Sequence, residues 1–557
     1  MITNDEIAAQ FSLLAKLMDI HGENAFKAKS YAAAAFSIDK LLTPLGEMER
    51  NAIFSIKGIG ESAGKRILEI LDTGQFATLN DMILKTPPGI LEMLNIKGIG
   101  PKKIATIWKE LEIETLGELL YACNENRLTL YKGFGEKTQL NIKESIEFYM
   151  GSMGRYLYQQ VEEVQMELEK LFSQTFPYRF ISTGEFRRQL EIIDSIEWVT
   201  NAKAEALSAF MNQIGFTIDN QQEDKISYRN EKNIRVQFWL ADEEKIPSIL
   251  FKSSCSELFL NVWTKKFGWN ETEIYDSEEK IFEKAGCQFI PAYMREDAES
   301  LELATQHKLS PAITEKEIKG IIHSHSTWSD GGNTILQMAE AAIKEGLEYL
   351  VISDHSKSAF YANGLSIERV MQQHQEIEKI NQQLAPFKIF KSIESDILND
   401  GSLDYPDEVL EKFDLVIASV HSNLKMNEEK ANTRVIKAIE NRYTSILGHP
   451  TGRLLLSRAG YPIDHERIID ACAANGVVIE LNAHPRRLDL DWRWIRKALQ
   501  KNVMISINPD AHTIDGFKDC KYGVLVAQKA GLMPAQNLSS FTLSELETFL
   551  LVQKQKR

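Results

Sequence analysis

The chain has 557 residues, too many for a single hydrophobic core, so two to four domains are expected. Its net charge of −15 argues against non-specific affinity for nucleic acid through the global field, so any surface for a polyanion must be a local basic patch. No apolar run reaches the length of a membrane span, Met1-Ile2-Thr3-Asn4-Asp5-Glu6 forms no basic-then-apolar leader, and Cys123, Cys255, Cys287, Cys472 and Cys520 form no CxxC pair, all of which fits a reduced cytoplasm.

Three glycine punctuations recur in the first third: Lys57-Gly58-Ile59-Gly60, Lys97-Gly98-Ile99-Gly100 and Lys132-Gly133-Phe134-Gly135. Helical patterns surround them, with Ile67, Ile70 and Leu71 after the first and Ile104, Ile107 and Leu111 after the second. Two glycines flanking one apolar residue allow a tight turn between helices, with the apolar side chain plugging the pair. Such a turn leaves backbone N–H groups free at the next helix's N-terminus, where a phosphate can sit. Lys65, Arg66, Lys102, Lys103 and Lys137 lie close by. Contacts of this kind hold a nucleic-acid backbone without reading its sequence. The units around Gly58 and Gly60 and around Gly98 and Gly100 match the helix-hairpin-helix motif, and Gly133 with Gly135 make a third, more divergent copy with phenylalanine as the plug.

Residues 151–317 hold most of the acidic excess, so a nucleic-acid surface is expected at the ends of the chain and not in its middle.

In the last 240 residues, six histidines and three carboxylates recur, nearly always where an apolar run has just ended. His323 and His325 stand in His323-Ser324-His325-Ser326-Thr327-Trp328-Ser329-Asp330-Gly331. His355 follows Tyr349-Leu350-Val351-Ile352, Glu394 follows Ile389 to Ile393, His421 follows Leu415 to Val420, and His449 follows Ile446-Leu447-Gly448. Asp510 and His512 follow Val503 to Asn508. Helical stretches over 335–346, 367–384, 431–441, 465–475 and 494–501 separate these runs, which predicts parallel strands. In a barrel of that kind, active sites form at the C-terminal strand ends. Every candidate falls there except Asp330, which lies a few residues into its loop. His374 and His465 are on helices and are left out. Neutral imidazoles and carboxylates suit zinc, manganese or iron. So many ligands exceed what one ion needs, which points to a centre of two or three divalent metals that hydrolyses phosphoesters.

With these motifs in order, the sequence resembles a bacterial family-X DNA polymerase carrying a C-terminal PHP (polymerase and histidinol phosphatase) domain. Ile7 to Ile38, with Gly22-Glu23-Asn24-Ala25-Phe26 and Tyr31-Ala32-Ala33-Ala34, is similar to that family's N-terminal 8 kDa domain. Gly184-Glu185-Phe186-Arg187-Arg188 resembles the palm's Gly-Ser-x-Arg-Arg turn. Asp396-Ile397-Leu398-Asn399-Asp400-Gly401-Ser402-Leu403-Asp404 and Gly448-His449-Pro450-Thr451-Gly452-Arg453 match PHP motifs. The resemblance implies a multidomain chain. An 8 kDa-like helical domain with the first hairpin covers 1–85, and a helix-hairpin-helix, fingers-like domain covers 86–150. An α+β nucleotidyltransferase-like palm and thumb covers 151–305, a linker 306–317, and an α/β PHP domain, a distorted βα barrel, 318–557. It also implies that His323, His325, Glu394 and Asp510 serve one metal, that Asp330, His355 and His512 serve a second, and that Glu394 bridges to a third held by His421 and His449.

The resemblance breaks in the palm. That family's nucleotidyl transfer needs three aspartates on two magnesium ions. Counting from Gly184, Ser195 and Glu197 occupy the places of the first two, and Gln237, in Ile234-Arg235-Val236-Gln237-Phe238-Trp239, occupies the third. Glu185 replaces the phosphate-binding serine and repels a triphosphate. Shifting the register to use Asp194 exchanges strand faces without restoring the pair. No palm magnesium and no polymerisation are expected. At the lyase position Arg66 stands where a lysine is needed, and Lys65 points about a hundred degrees away around the helix, so phosphate contact is expected there.

The expected function is a cytoplasmic, DNA-binding 3′-5′ exonuclease or 3′-end processing enzyme of DNA repair, acting on gapped or 3′-ended DNA with other repair proteins as possible partners. Arg453 could hold the scissile phosphate or form a structural salt bridge, and Arg486 and Arg487 are further candidates. The alternatives are a working DNA polymerase with PHP proofreading, a non-catalytic DNA-binding adaptor, and a small-molecule phosphatase of the histidinol-phosphate type.

Overall fold

The computed structural model describes residues 2–124, 128–152, 154–456 and 459–555. They form two compact units, Met1–Met153 and Gly154–Arg557.

The first unit is helical throughout its described residues. Its opening helix, Asn4–His21, starts on a capping box between Thr3 and Glu6 and stops at Gly22, whose φ of 77° satisfies the last carbonyls. It packs lengthwise on Ala25–Asp39, burying Phe11, Leu14, Leu17, Tyr31 and Ile38. One apolar cluster runs from Ile7 through Ile67 and Ile104 to Ile146. The stretches expected as separate domains, 1–85 and 86–150, therefore share a core.

In the second unit, β1 (Tyr156–Leu157) pairs with β3 (Ile192–Ile193). Beside them stands a five-stranded mixed sheet of β2 (Phe180–Thr183), β4 (Ile196–Thr200), β5 (Phe216–Gln221), β6 (Lys225–Asn230) and β7 (Arg235–Leu240) in the order β2-β4-β7-β6-β5. Residues 246–305 add a helical region with its own aromatic core of Phe251, Phe259, Trp263 and Phe282. The stretch 306–317, expected as a linker, is packed down: Ile313 is fully buried in the barrel's core, and its N–H donates to the Leu532 carbonyl at 2.8 Å.

The barrel strands are β8 (Gly320–Ile321), β9 (Tyr349–Ile352), β10 (Lys388–Asp396), β11 (Leu415–Ser419), β12 (Ile446–Leu447), β13 (Val478–Asn482) and β14 (Ile505–Asn508). All neighbours are parallel and lie in sequence order, and a bridge between Ser324 and Ala511 joins the ends of β8 and β14 to close the ring. Alternation along the strands sorts their side chains. Ile479 and Leu481 of β13 pack against surrounding helices, whereas Val478 joins Tyr349, Val351, Phe390, Leu415, Ile417 and Ile446 in a second cluster with Leu546 and Leu550 of the C-terminal helix. The same face of β13, two residues on, presents Glu480.

The intervening helices match the expected periodicity. Two begin earlier than expected, at Glu428 and Trp492, because the side chains of Asn427 and Asp491 cap the amides of Lys430 and Arg493.

Candidate metal centre

Six histidines and three carboxylates from the ends of six of the seven strands and their loops converge at one end of the barrel. Glu394, fully buried at the end of β10, is the hub. Its Oε1 lies 3.0 Å from His449 Nε2, 3.1 Å from His421 Nε2 and 3.3 Å from His323 Nε2. Its Oε2 lies 3.0 Å from His355 Nδ1 and 3.6 Å from His325 Nε2. Asp510 Oδ1 sits 3.1 Å from His325 Nε2 and 3.5 Å from His323 Nε2. Asp330 Oδ2 sits 3.5 Å from His512 Nε2 and 3.7 Å from His355 Nε2. Three groups have ligand atoms mutually within 4.8 Å: His325, Asp330, His355 and His512; His323, His325 and Asp510; and His355, Glu394 and His421. His449 joins them through Glu394.

The donor set fits metal ions. An oxygen acceptor holds Nδ1 of three imidazoles and leaves Nε2 turned to the centre: Glu480 for His323 at 2.6 Å, Asp396 for His421, and the Asp510 carbonyl for His512 at 2.9 Å. That is how ligating histidines are oriented. His323 Nε2 and His325 Nδ1 are buried without a hydrogen bond, a cost that a bound cation would remove. His323 and Asp510 also hold left-handed backbone, with φ of 68° and 53°. Non-glycine residues held there persist where the surroundings over-determine them, often at functional sites.

Charge is tightly balanced. Burial works against ionised Glu394, yet His421, His323 and His355 hold its carboxyl well below the usual range. Burial and the neighbouring His355 and His512 push His325 down to about 3. Burial opposes protonation of His421 as well, but Glu394 and Asp396 outweigh it and raise this imidazole to about 10.

Several supporting groups escaped the sequence reading. Glu480 links His323, Asn508 Nδ2 (2.8 Å), Asn482 Nδ2 (3.1 Å) and the His449 N–H (3.1 Å). Its only sequence signal was one carboxylate inside the apolar run Val478-Ile479-Glu480-Leu481. Asp354, fully buried, accepts from Ser326 N and Oγ and from Gln373, and so fixes the loop that carries Asp330. His374 and His465 lie elsewhere, against Phe413 and Trp494.

Arg453 is placed by its neighbours. Nε donates to the Arg487 carbonyl (2.9 Å), Nη1 to Asp491 (2.9 Å) and Nη2 to the Leu488 carbonyl. With all three nitrogens engaged, the salt-bridge reading replaces the phosphate role. Arg487 stands closer to the centre, Nε 3.7 Å from Asp510 Oδ2.

In the five-stranded sheet, β4 and β7 pair Glu197 opposite Gln237. The buried Glu197 carboxylate accepts from Gln237 Nε2, Trp239 Nε1 (2.8 Å) and Ser195 Oγ (3.1 Å). Asp194 is on the other side, paired with Arg155 at 2.7 Å. Glu185 accepts from the Asp194 N–H at 2.6 Å, and burial raises its carboxyl above the ordinary range. A Cβ on Gly184 would meet the Glu197 carboxyl at 2.6 Å, so that side chain fills the space beneath the turn. Arg187 is bound to Glu278 and Arg188 to Glu296, each at 2.7 Å.

In the first unit the three hairpins repeat one geometry. Gly58, Gly98 and Gly133 have φ of 94°, 88° and 93°, and the plugs Ile59, Ile99 and Phe134 are buried. Added Cβ atoms at Gly60, Gly98, Gly100, Gly133 and Gly135 would meet only open space, so these turns present bare backbone outward. The helices Glu61–Thr73 and Pro101–Lys109 begin on Gly60 and Gly100 with no side-chain cap. The amides of their first turns, Pro101 having none, stay open to a phosphate. Lys65 pairs with Glu61 and Arg66 with Glu69, both at 2.6 Å; Lys102 is exposed, and Lys103 reaches the Gly98 carbonyl at 3.4 Å.

Known families match within the helical unit and within the barrel. Residues 2–76 match a helix-hairpin-helix domain, 90–147 a SAM-like helix-hairpin-helix tandem, and 322–484 a PHP domain. The chain is 32% identical, over 98% of its own length and 99% of the relative's, to a Bacillus subtilis protein named DNA polymerase/3′-5′ exonuclease PolX. A probable phosphatase of Thermoanaerobacter sp. is 27% identical over 42% of this chain and 95% of its own length. A probable phosphatase of Caldanaerobacter subterraneus is 31% identical, with the match spanning 60% of its length.

Proposed function

The chain belongs to the PolX family of family-X DNA polymerases with a C-terminal PHP domain, and from that premise we propose that it is a metal-dependent 3′-5′ exonuclease or 3′-end processing enzyme of DNA repair whose palm does not polymerise. The observation that carries this reading is the contrast between two carboxylates. Glu394 faces five imidazoles with lone pairs to offer, whereas Glu197, at a magnesium position of the family's palm, is closed off by Gln237, Trp239 and Ser195.

In this reading His323, His325, Asp330, His355, Glu394, His421, His449, Asp510 and His512 hold two or three divalent ions, manganese, zinc or iron. Such ions supply activation of water and neutralisation of the leaving oxygen. Glu480 and Asp396 keep His323 and His421 in the tautomer that turns Nε2 inward. Arg487 meets the substrate's phosphate. Gly58, Gly60, Gly98, Gly100, Gly133 and Gly135, with Lys65, Arg66, Lys102 and Lys103, hold the DNA backbone, and gapped or 3′-ended DNA is the substrate. The palm, with Glu185, Ser195, Glu197 and Gln237, serves as scaffold. The likeness to probable phosphatases supports removal of a 3′-phosphate as a second activity of the same centre.

The test is incubation with manganese and a 3′-labelled primer-template. Wild type should release label, and His325→Ala and His421→Ala should not; equal release by all three means a contaminating nuclease. Primer extension with labelled nucleotide probes the palm. Incorporation that survives loss of the barrel histidines would overturn the scaffold reading.

A further inference from the structure

One side chain at the metal centre is neither a candidate ligand nor a support for one. His484 follows β13 in Asn482-Ala483-His484-Pro485-Arg486-Arg487, and its ring is half-buried. We infer that His484 Nε2–H and the Arg487 guanidinium form a two-point clamp for a phosphate oxygen of the substrate beside Asp510 and His512.

The tautomer follows from geometry. The backbone N–H of Arg486 donates to His484 Nδ1 at 3.2 Å, so that nitrogen carries the lone pair. The proton of the neutral ring is then on Nε2, which makes it a hydrogen-bond donor. Burial lowers the affinity of this imidazole for a second proton, with Arg487 and Arg486 acting in the same direction and Asp510 against it. With Nδ1 occupied by the Arg486 N–H, the ring turns an Nε2–H donor outward, which suits an anion.

Its placement is rigid. The His484 N–H donates to Asn482 Oδ1 at 3.1 Å, and Asn482 Nδ2 donates to Asp510 Oδ2 at 3.1 Å. The Ala483 N–H reaches the Asn508 carbonyl at 2.6 Å, which ties the segment to β14. The His484 carbonyl accepts from the N–H groups of Arg487 (2.7 Å) and Leu488 (3.2 Å), making a turn that sets both clamp side chains on one short loop. Arg453 holds that loop from behind through the carbonyls of Arg487 and Leu488. A planar cation paired with a preset N–H donor is a common way to hold phosphate oxygens.

The clamp rests on the proposed phosphoesterase reading, so its test includes a readout that needs no turnover. Binding of inorganic phosphate to the manganese-loaded full chain is measured by titration calorimetry for wild type, His484→Ala, His484→Gln and Arg487→Lys. Glutamine places an N–H donor near the Nε2 position and alanine does not. The expected result is about tenfold weaker phosphate binding for His484→Ala and Arg487→Lys, near wild-type binding for His484→Gln, and unchanged metal content throughout. The same tenfold loss should appear in kcat/KM for label release, mainly through KM. Equal binding by wild type and His484→Ala, a glutamine variant as impaired as alanine, or no phosphate binding by wild type would overturn the clamp. Loss of phosphate binding with no label release from any variant would keep the clamp and reject the exonuclease reading.

Discussion

Glu197 and Glu394 are both buried glutamates on strands of the same compact unit, yet their surroundings differ in kind. Glu197 is met by an amide, an indole and a hydroxyl, groups that donate a hydrogen bond and are thereby satisfied. Glu394 is met by five imidazoles, and in two of them, His323 and His421, a carboxylate already pins Nδ1 and turns Nε2 toward the same small volume. A carboxylate among saturated donors is a structural element; among pinned bases it is half of a cation site. The neighbours' chemistry, more than the carboxylate, decides which.

The contrast can be broken at either end. The largest effect is expected from Glu394→Gln or prolonged chelation, each reducing label release by on the order of a thousandfold or more; a Glu394→Gln variant that retains full activity and metal content would remove the hub from the mechanism. Next come Glu480→Gln and Asp396→Asn, which leave the ligands in place but loosen His323 and His421. Metal affinity or activity should fall about 10–100-fold, read by elemental analysis alongside rate. At the palm end, Glu197→Ala should leave label release within about twofold while costing about 1–3 kcal/mol of stability, because Gln237 and Trp239 lose their acceptor. Denaturant melts check the second figure, and loss of nucleotide incorporation in Glu197→Ala would show that the palm had been working. The smallest effect belongs to Glu185. Burial raises its carboxyl, so the folded state resists ionisation. The resulting penalty is absent below the unfolded value near 4.5 and grows as pH rises past it. Glu185→Gln should therefore stabilise the protein at pH 8 and do nothing at pH 4, measured as the shift in unfolding midpoint.

The barrel was legible because every candidate ligand except Asp330 follows a run apolar on both faces, as buried parallel strands do. The hairpins were legible because a positive φ at Gly58, Gly98 and Gly133 demands glycine at a fixed offset from its plug. Gln237 was reached by matching Ile234 to Trp239 to the family's strand, and its place opposite Glu197 came only with the strand pairing. What sequence withheld was partnership. Glu480 reads as an oddity in a strand until His323 is seen 2.6 Å away, across 157 residues of chain. Arg453 was left between two roles because the carbonyls that engage it come from a turn at Arg487 and Leu488 that no local pattern announces. The packing of 306–317 was missed because a lone Ile313 carries no periodicity.

Lys529 sits fully buried at the end of a barrel helix, its ammonium on Glu296, the Arg188 carbonyl and the Tyr293 carbonyl. Arg496 reaches from the barrel in the same way to Asp297 and Ser300. A protease that nicked the backbone between these regions would thus leave two fragments still riveted together. Anyone trimming the gene to isolate the hydrolytic half would strip Lys529 and Arg496 of these partners and open that face of the barrel to water, and should expect a less stable product.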